Sequence, residues 1–367
     1  MILNKDSLSF VNLWQLKNFN DFDYWHVDLQ QEATLVDIIP IDIQEKINNG
    51  EIKLLLTCYK EGHTFIVDSL YKSKINPNNV VIIGDNKKIL EIVNDSFVGQ
   101  IKPKVYWSLI FELGIKIQSF MNFNIFKEIK TLEKKKYTKS FLNFNRRWRL
   151  HRPAMVALLY AHKLLEKGYV SLAAETDDNH DWNKVFDAIL YQLQDEKELF
   201  ELLINTKNDI IKLPNLYLDT TNLSVNRPRL IETDIPFELT KKLYEDTYFS
   251  LVSETFFFNS DAVFFTEKVF KPIAFKHPFI LISAPMQLGS LNELGYKTFH
   301  PYINESYDTE INDAKRLKLI IEEVNRLSNL SQSELFEFID NVAPIVEHNF
   351  KILHTKPHYG HLHKLIG

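Results

Sequence analysis

Residues 248–283 read YFSLVSETFFFNSDAVFFTEKVFKPIAFKHPFILIS. Two short apolar runs, YFSLVS and PFILIS, frame a polar turn, a phenylalanine-rich loop and a stretch of helical spacing over 269–276. Near-continuous apolar strands with a helix between them are what a parallel sheet covered on both faces requires. In such a sheet ligands bind outside the carboxyl ends of the strands. That singles out Glu254, just after the first strand, and Thr266, Glu267 and Lys268, just ahead of the helix. A carboxylate there can accept hydrogen bonds from sugar hydroxyls, and an ammonium beside it can neutralise a phosphate. Pro272 would break a backbone bond in a helix that began at Glu267, at a cost of about 3 kcal/mol. The regular helix is therefore expected to start near Lys271-Pro272, with Glu267 and Lys268 in a loop or distorted first turn.

The same alternation extends outward in both directions. Upstream, apolar runs at 53–58 (KLLLTC), 80–84 (VVIIG) and 103–107 (PKVYW) alternate with helical spacing at 64–74 and 86–94. A basic stretch without glycine, 127–139 (KEIKTLEKKKYTK), separates them from a strand at 141–145 (FLNFN). A helix over 153–167 is expected to stop at Gly168, ahead of a strand over 169–173. Acidic, helical segments fill 177–207, and long helices over 311–328 and 332–353 follow. The fold class is α/β, with two Rossmann-like domains and C-terminal helices. The boundaries fall at 1–138, 139–340 and 341–367, the last segment being a helix that packs back toward the N-terminal domain and a tail.

Composition narrows the chemistry. The chain has 367 residues, 45% of them hydrophobic, ample for two cores. Only 10 are glycine, against a usual ~7% of residues. Neither G-x-G-x-x-G nor G-x-x-x-x-G-K-[ST] occurs, so side chains and helix ends must hold any phosphate. The single cysteine, Cys58, cannot form an internal disulfide, which points to a reducing compartment. Net charge is −5; residues 1–140 carry 18 basic and 17 acidic side chains, and 141–367 carry 25 and 31. Neither half is a nucleic-acid binder by charge alone. With no apolar run of ~18 residues and no signal-peptide pattern, no membrane span and a cytoplasmic location are expected. Enrichment in Asn, Lys, Ile and Phe fits an AT-rich coding genome, bacterial or viral.

Three further clusters stand out. Arg146, Arg147, Arg149 and Arg152 fall within seven residues directly after a strand. Guanidinium groups bind phosphate bidentately, and the following helix adds its N-terminal dipole, so this is the candidate diphosphate clamp. Glu61 and His63 follow the strand at 53–58 and are candidates for the base that takes an acceptor hydroxyl's proton, Glu61 first; Asp85 is a third. The run Asp177-Asp178-Asn179-His180-Asp181 reads as a polar loop with a helix cap, and His354, His358, His361 and His363 as a frayed tail, so no metal site is assigned.

The 248–283 stretch resembles the donor-binding motif of the α1,3-fucosyltransferase family, which runs Phe-Glu-Asn-Ser, a short loop, Tyr-(Val/Ile)-Thr-Glu-Lys, a helix and a strand. Ser253-Glu254-Thr255 stands where Phe-Glu-Asn would, and Thr266-Glu267-Lys268 matches Thr-Glu-Lys residue for residue. Thr255 replaces the asparagine, and the intervening loop is longer. The resemblance is close over 248–283 and loose over 140–350, and it extends to viral and bacterial glycosyltransferase-like proteins of the GT-B fold. It implies a metal-independent, inverting glycosyltransferase without a cofactor. A nucleotide-diphosphate sugar would bind the C-terminal domain, and a glycan acceptor the N-terminal one. On that reading the arginines and Lys268 meet the diphosphate, and Glu267, supported by Glu254, holds ribose or sugar hydroxyls. A modified base in DNA is the second acceptor, favoured only by the basic stretch at 127–139. A non-catalytic nucleotide-sugar-binding module is the rival from another class.

Overall fold

The computed structural model describes residues 2–3, 24–28, 39–58, 65–108, 129–145, 148–172, 182–214, 216, 237–355 and 362–366. The chain divides into two compact units, Met1–Leu113 with Ala262–Phe265 and Lys356–Gly367, and Gly114–Asp261 with Thr266–Thr355. Each is α/β, built on its own sheet of mainly parallel strands.

The sheet of the first unit runs β1 (Ile2–Leu3), β2 (Tyr24–Asp28), β3 (Lys53–Cys58), β4 (Val80–Gly84), β5 (Lys104–Ser108) and, from the far end of the chain, β10 (Leu362–Ile366). β2 to β5 are parallel neighbours, while β1 and β10 pair antiparallel at the two edges. The apolar runs behave as the sequence predicts: Leu54, Leu55, Leu56, Ile82 and Ile83 have no exposed surface, because both faces are covered. One covering layer contains α1 (Ile41–Asn48) and α3 (Ile89–Ser96), whose Ile43, Ile47, Ile89 and Val93 join Leu54, Leu56 and Ile82 in one core cluster. The segment before residue 266 belongs to this unit: Phe264 bridges to Asn86, Lys87 N–H donates to the Val263 carbonyl, and Phe265 packs on Trp107.

The second unit carries a four-stranded parallel sheet in the order β7 (Gly168–Val170), β6 (Phe141–Asn143), β8 (Phe249–Ser253), β9 (Phe279–Ile282). The helix after β6, α4 (His151–Ala161), is buried from His151 through Leu159. It packs against α5 (Trp182–Leu193) and α6 (Lys197–Ile210). The helix expected to reach Gly168 stops at Ala161, and Lys163 takes the left-handed turn with φ 58°. Gly168 instead opens β7, where an added Cβ would lie 2.2 Å from the Phe141 ring; packing, not helix termination, requires glycine there.

The basic stretch is pinned to this unit. Lys134 pairs with Asp340, Lys139 donates to the Glu166 carbonyl, and the Thr131 hydroxyl bonds Glu347. The helix between β8 and β9, α8 (Glu267–Ala274), packs against the long α11 (Gln332–Thr355). By its contacts α11 belongs to the second unit. The residues after it, expected to fray, form β10 along the open edge of β5. No helix among the described residues is long and apolar enough to cross a membrane.

Candidate functional site

The strand order of the second unit fixes where a ligand can enter. From β6 the chain steps to β7 on one side, then crosses back to β8 on the other. Such a reversal opens a crevice at the carboxyl ends of the two diverging strands. Backbone pairing between β6 and β8 ends at Leu142↔Ser250. Beyond it the Asn143 side chain replaces the ladder, donating from Nδ2 to the Leu251 carbonyl at 2.6 Å and to Ser253 Oγ at 3.3 Å.

Glu254, the first residue past β8, is 1% exposed. Its carboxylate does not face outward as the sequence reading expects. Oε1 accepts the Thr266 N–H at 3.1 Å, and Oε2 accepts the Thr266 hydroxyl at 2.6 Å. Burial raises its pKa, opposed by Lys268 and by the hydrogen bonds from Thr266. Glu254 is a latch that holds the start of α8 to the end of β8.

That latch resolves the conflict posed by Pro272. The helix begins at Glu267, not near Lys271, because Thr266 Oγ1 caps it by accepting the Lys268 N–H at 3.3 Å. Pro272 lies inside, and the helix ends two residues later at Ala274. The capped first turn presents Glu267 and Lys268 as a partly buried ion pair at 3.1 Å, with side chains 27% and 26% exposed and Lys268 Nζ also 2.9 Å from Thr266 Oγ1. Burial alone would raise the Glu267 pKa, but Lys268 and Lys271 pull it down to about 2, so the carboxylate stays ionised. A cavity of about 40 Å³ opens on this side, lined by Leu142, Phe144, Val252, Ser253, Lys268 and Lys271 among others.

The arginine cluster divides. Arg152 is 3% exposed, and its guanidinium donates to the Ser253 and Glu254 carbonyls at 3.3 and 3.2 Å. It is thus a strut under the end of β8 rather than an outward clamp, because its position in the first turn of the buried α4 carries it inward. Arg149 precedes the helix and is partly exposed. Arg146 and Arg147 lie outside the described residues, as do Glu61, His63 and the 177–181 acidic run. Asp85 is buried at the end of β4, its carbonyl accepting from Trp107 Nε1 at 3.1 Å.

His151 was not among the residues singled out by the sequence. It is 3% exposed, its Nε2 lies 2.9 Å from the Glu254 carbonyl, and its ring stacks on Phe257. Burial holds its pKa well below the usual value, and the charges of Arg152, Arg149 and Lys268 push the same way. The imidazole is therefore neutral, with its Nε2 proton given to the carbonyl.

A larger cavity, about 190 Å³, lies elsewhere in the second unit, bordered by Lys130, Lys241, Lys276, Tyr137 and Phe275 among others. Each of those lysines faces a carboxylate, of Glu133, Glu245 and Glu347 respectively. The sheet reversal, not cavity size, marks the site.

No protein-family model matches the chain, and no curated protein matches it in sequence. Among solved structures it is similar to a chain of the GtfA/B complex, with a TM-score of 0.39 and 10% identity over 92% of this chain and 55% of that one. It is also similar to an α,α-trehalose-phosphate synthase (UDP-forming) from Burkholderia vietnamiensis. There the TM-score is 0.35 with 10% identity, over 83% of this chain and 71% of that one. The chain spans about half the length of the GtfA/B chain it matches.

Proposed function

We propose that the protein is a GT-B-type glycosyltransferase that binds a nucleotide-diphosphate sugar in its second unit and transfers the sugar to a glycan acceptor. The observation that carries this reading is the Glu267–Lys268 pair, partly exposed and held at the sheet reversal by the Glu254–Thr266 latch. An ionised carboxylate beside an ammonium held by Glu267 and Thr266 can hold sugar or ribose hydroxyls and balance charge on a departing diphosphate. The resemblance of Thr266-Glu267-Lys268 to the α1,3-fucosyltransferase motif supports the same assignment and an inverting course.

Lys268 and Arg149, with Arg146 and Arg147, would stabilise the leaving diphosphate in place of a metal ion. Glu61, with His63 as the second choice, would take the acceptor proton. In this reading Glu254 and Arg152 touch no substrate; they keep Lys268 and the end of β8 in place.

Calorimetric titration with a panel of nucleoside diphosphates, paired with a transfer assay corrected for donor hydrolysis, tests the proposal. Binding of one diphosphate, lost on Lys268→Ala, is the expected result. Binding without transfer to any glycan would make the protein a non-catalytic module. Affinity for duplex DNA that falls steeply with salt would favour a DNA base as acceptor. No binding of any nucleotide would overturn the assignment.

A further inference from the structure

The hydrogen-bond relay beside the crevice ends on an acceptor that the reading above does not use. Asn143 Nδ2 faces the Leu251 carbonyl, which can only accept, so the orientation of the Asn143 amide is determined and its Oδ1 points the other way. That oxygen lies 2.5 Å from Asn145 Nδ2, which must donate to it. Asn145 Oδ1 is therefore turned onward, away from the relay. The backbone cannot swing to relieve it: Asn145 N–H donates to Ser171 Oγ at 3.0 Å, on the β7 side. Asn145 has no exposed surface, and no described group donates to its Oδ1. Buried amide oxygens without a donor are rare in folded proteins, and a relay satisfied at every other atom holds this one rigidly.

We propose that Asn145 Oδ1 is a specificity-determining acceptor for the nucleoside part of the donor, taking a hydrogen from a ribose hydroxyl or a base N–H. The proposal rests on the nucleotide-diphosphate reading of this site. An uncharged acceptor repels phosphate oxygens, which also only accept, and so it cannot serve the diphosphate. The nucleoside is the part of such a ligand that carries N–H and O–H donors.

The test is a cycle between protein and ligand, read by calorimetry. Wild type and Asn145→Ala are titrated with the nucleoside diphosphate that binds best, its 2′- and 3′-deoxy forms, and a base analogue lacking one N–H. In wild type one of these deletions should weaken binding about tenfold, the worth of one hydrogen bond. In Asn145→Ala the parent should already be weakened as much, and the same deletion should cost nothing more. Which analogue shows this coupling separates ribose from base. Asn145→Asp keeps an oxygen facing the ligand and should retain the discrimination, so it also serves if the alanine variant fails to fold. Equal losses for every analogue in all three proteins would overturn the proposal and leave the donor reading standing. A wild-type protein that binds no nucleotide would overturn both.

Discussion

In the first unit the parallel strands β2 to β5 advance across the sheet in one direction, whereas in the second the chain steps from β6 to β7 and then back across β6 to β8. Both sheets use the same short apolar strands, and both bury their central ones, β4 in the first and β8 in the second, at every residue. The difference lies in what their carboxyl ends must do. An advancing sheet needs only loops that hand each strand to its helix. A reversing one leaves a gap between diverging strands, and polar groups must close it from within. Asn143, Arg152, His151 and Glu254 do so here, each bonded to the backbone or hydroxyls around the end of β8. The candidate site falls where the sheet does not complete its own hydrogen bonding.

The largest effect should come from cutting the latch. Glu254→Ala strips the partner from two buried Thr266 donors and should cost about 3 kcal/mol in urea unfolding, with nucleotide binding lost. Glu254→Gln, which keeps one acceptor, should cost less. A loss under about 1 kcal/mol for the alanine variant would mean that the crevice does not depend on the latch.

One strand glycine in each unit sharpens the contrast, Gly168 at the start of β7 and Gly84 at the end of β4. Gly168→Ala drives a Cβ to 2.2 Å from the Phe141 ring, whereas Gly84→Ala in the first unit meets the flexible end of Ile89 at 3.0 Å. The first should destabilise by about 2 kcal/mol and the second by less than about 1 kcal/mol. Equal melting temperatures for the two variants would contradict the tight packing of β7 on β6.

Lys268→Ala should weaken nucleoside diphosphate binding at least tenfold, as loss of a charged hydrogen bond does. Stability should fall by less than for Glu254→Ala, because the ion pair keeps about a quarter of its surface in water. Normal binding by a destabilised variant would make the pair structural.

The smallest effect is on acid stability. The folded pKa of Glu267 is lowered from 4.5 to about 2. Its contribution is therefore complete above 4.5 and lost as pH falls from 4.5 through 2. Glu267→Gln should flatten that part of the unfolding profile. Glu254, raised by burial, acts with the opposite sign: its ionisation lowers stability as pH rises past 4.5. A profile unchanged by Glu267→Gln would show that its carboxylate is not held by Lys268 and Lys271.

Much of the scaffold is legible in the sequence wherever apolar runs are long enough to admit one reading. The strands at 53–58 and 80–84 and the helix at 332–355 fall where the spacing puts them, since each buries a continuous face. The site is legible only as residue types. Glu254, Thr266 and Lys268 are singled out by position, but their division into latch and ligand contacts depends on the Glu254–Thr266 bonds, which join residues 12 apart. Pro272 misleads because the local rule weighs a missing backbone bond and not the cap that fixes the helix start. His151 has no periodic signature; Asn143 differs from an ordinary strand-end asparagine through Leu251 and Ser253, about a hundred residues away in the chain, and Asn145 through Asn143 and Ser171.

The antiparallel pairing of Leu362–Ile366 with β5 bears on how the chain is made. The core of the first unit emerges from the ribosome early, yet the strand that covers its open edge comes more than 250 residues after Lys104–Ser108. Throughout that interval β5 presents unpaired backbone groups to any other nascent strand. The second unit, complete by Thr355, has no such wait. The first unit is thus the first to be synthesised and the last to be closed, and a chain stalled or cleaved after residue 355 would leave it open to self-association.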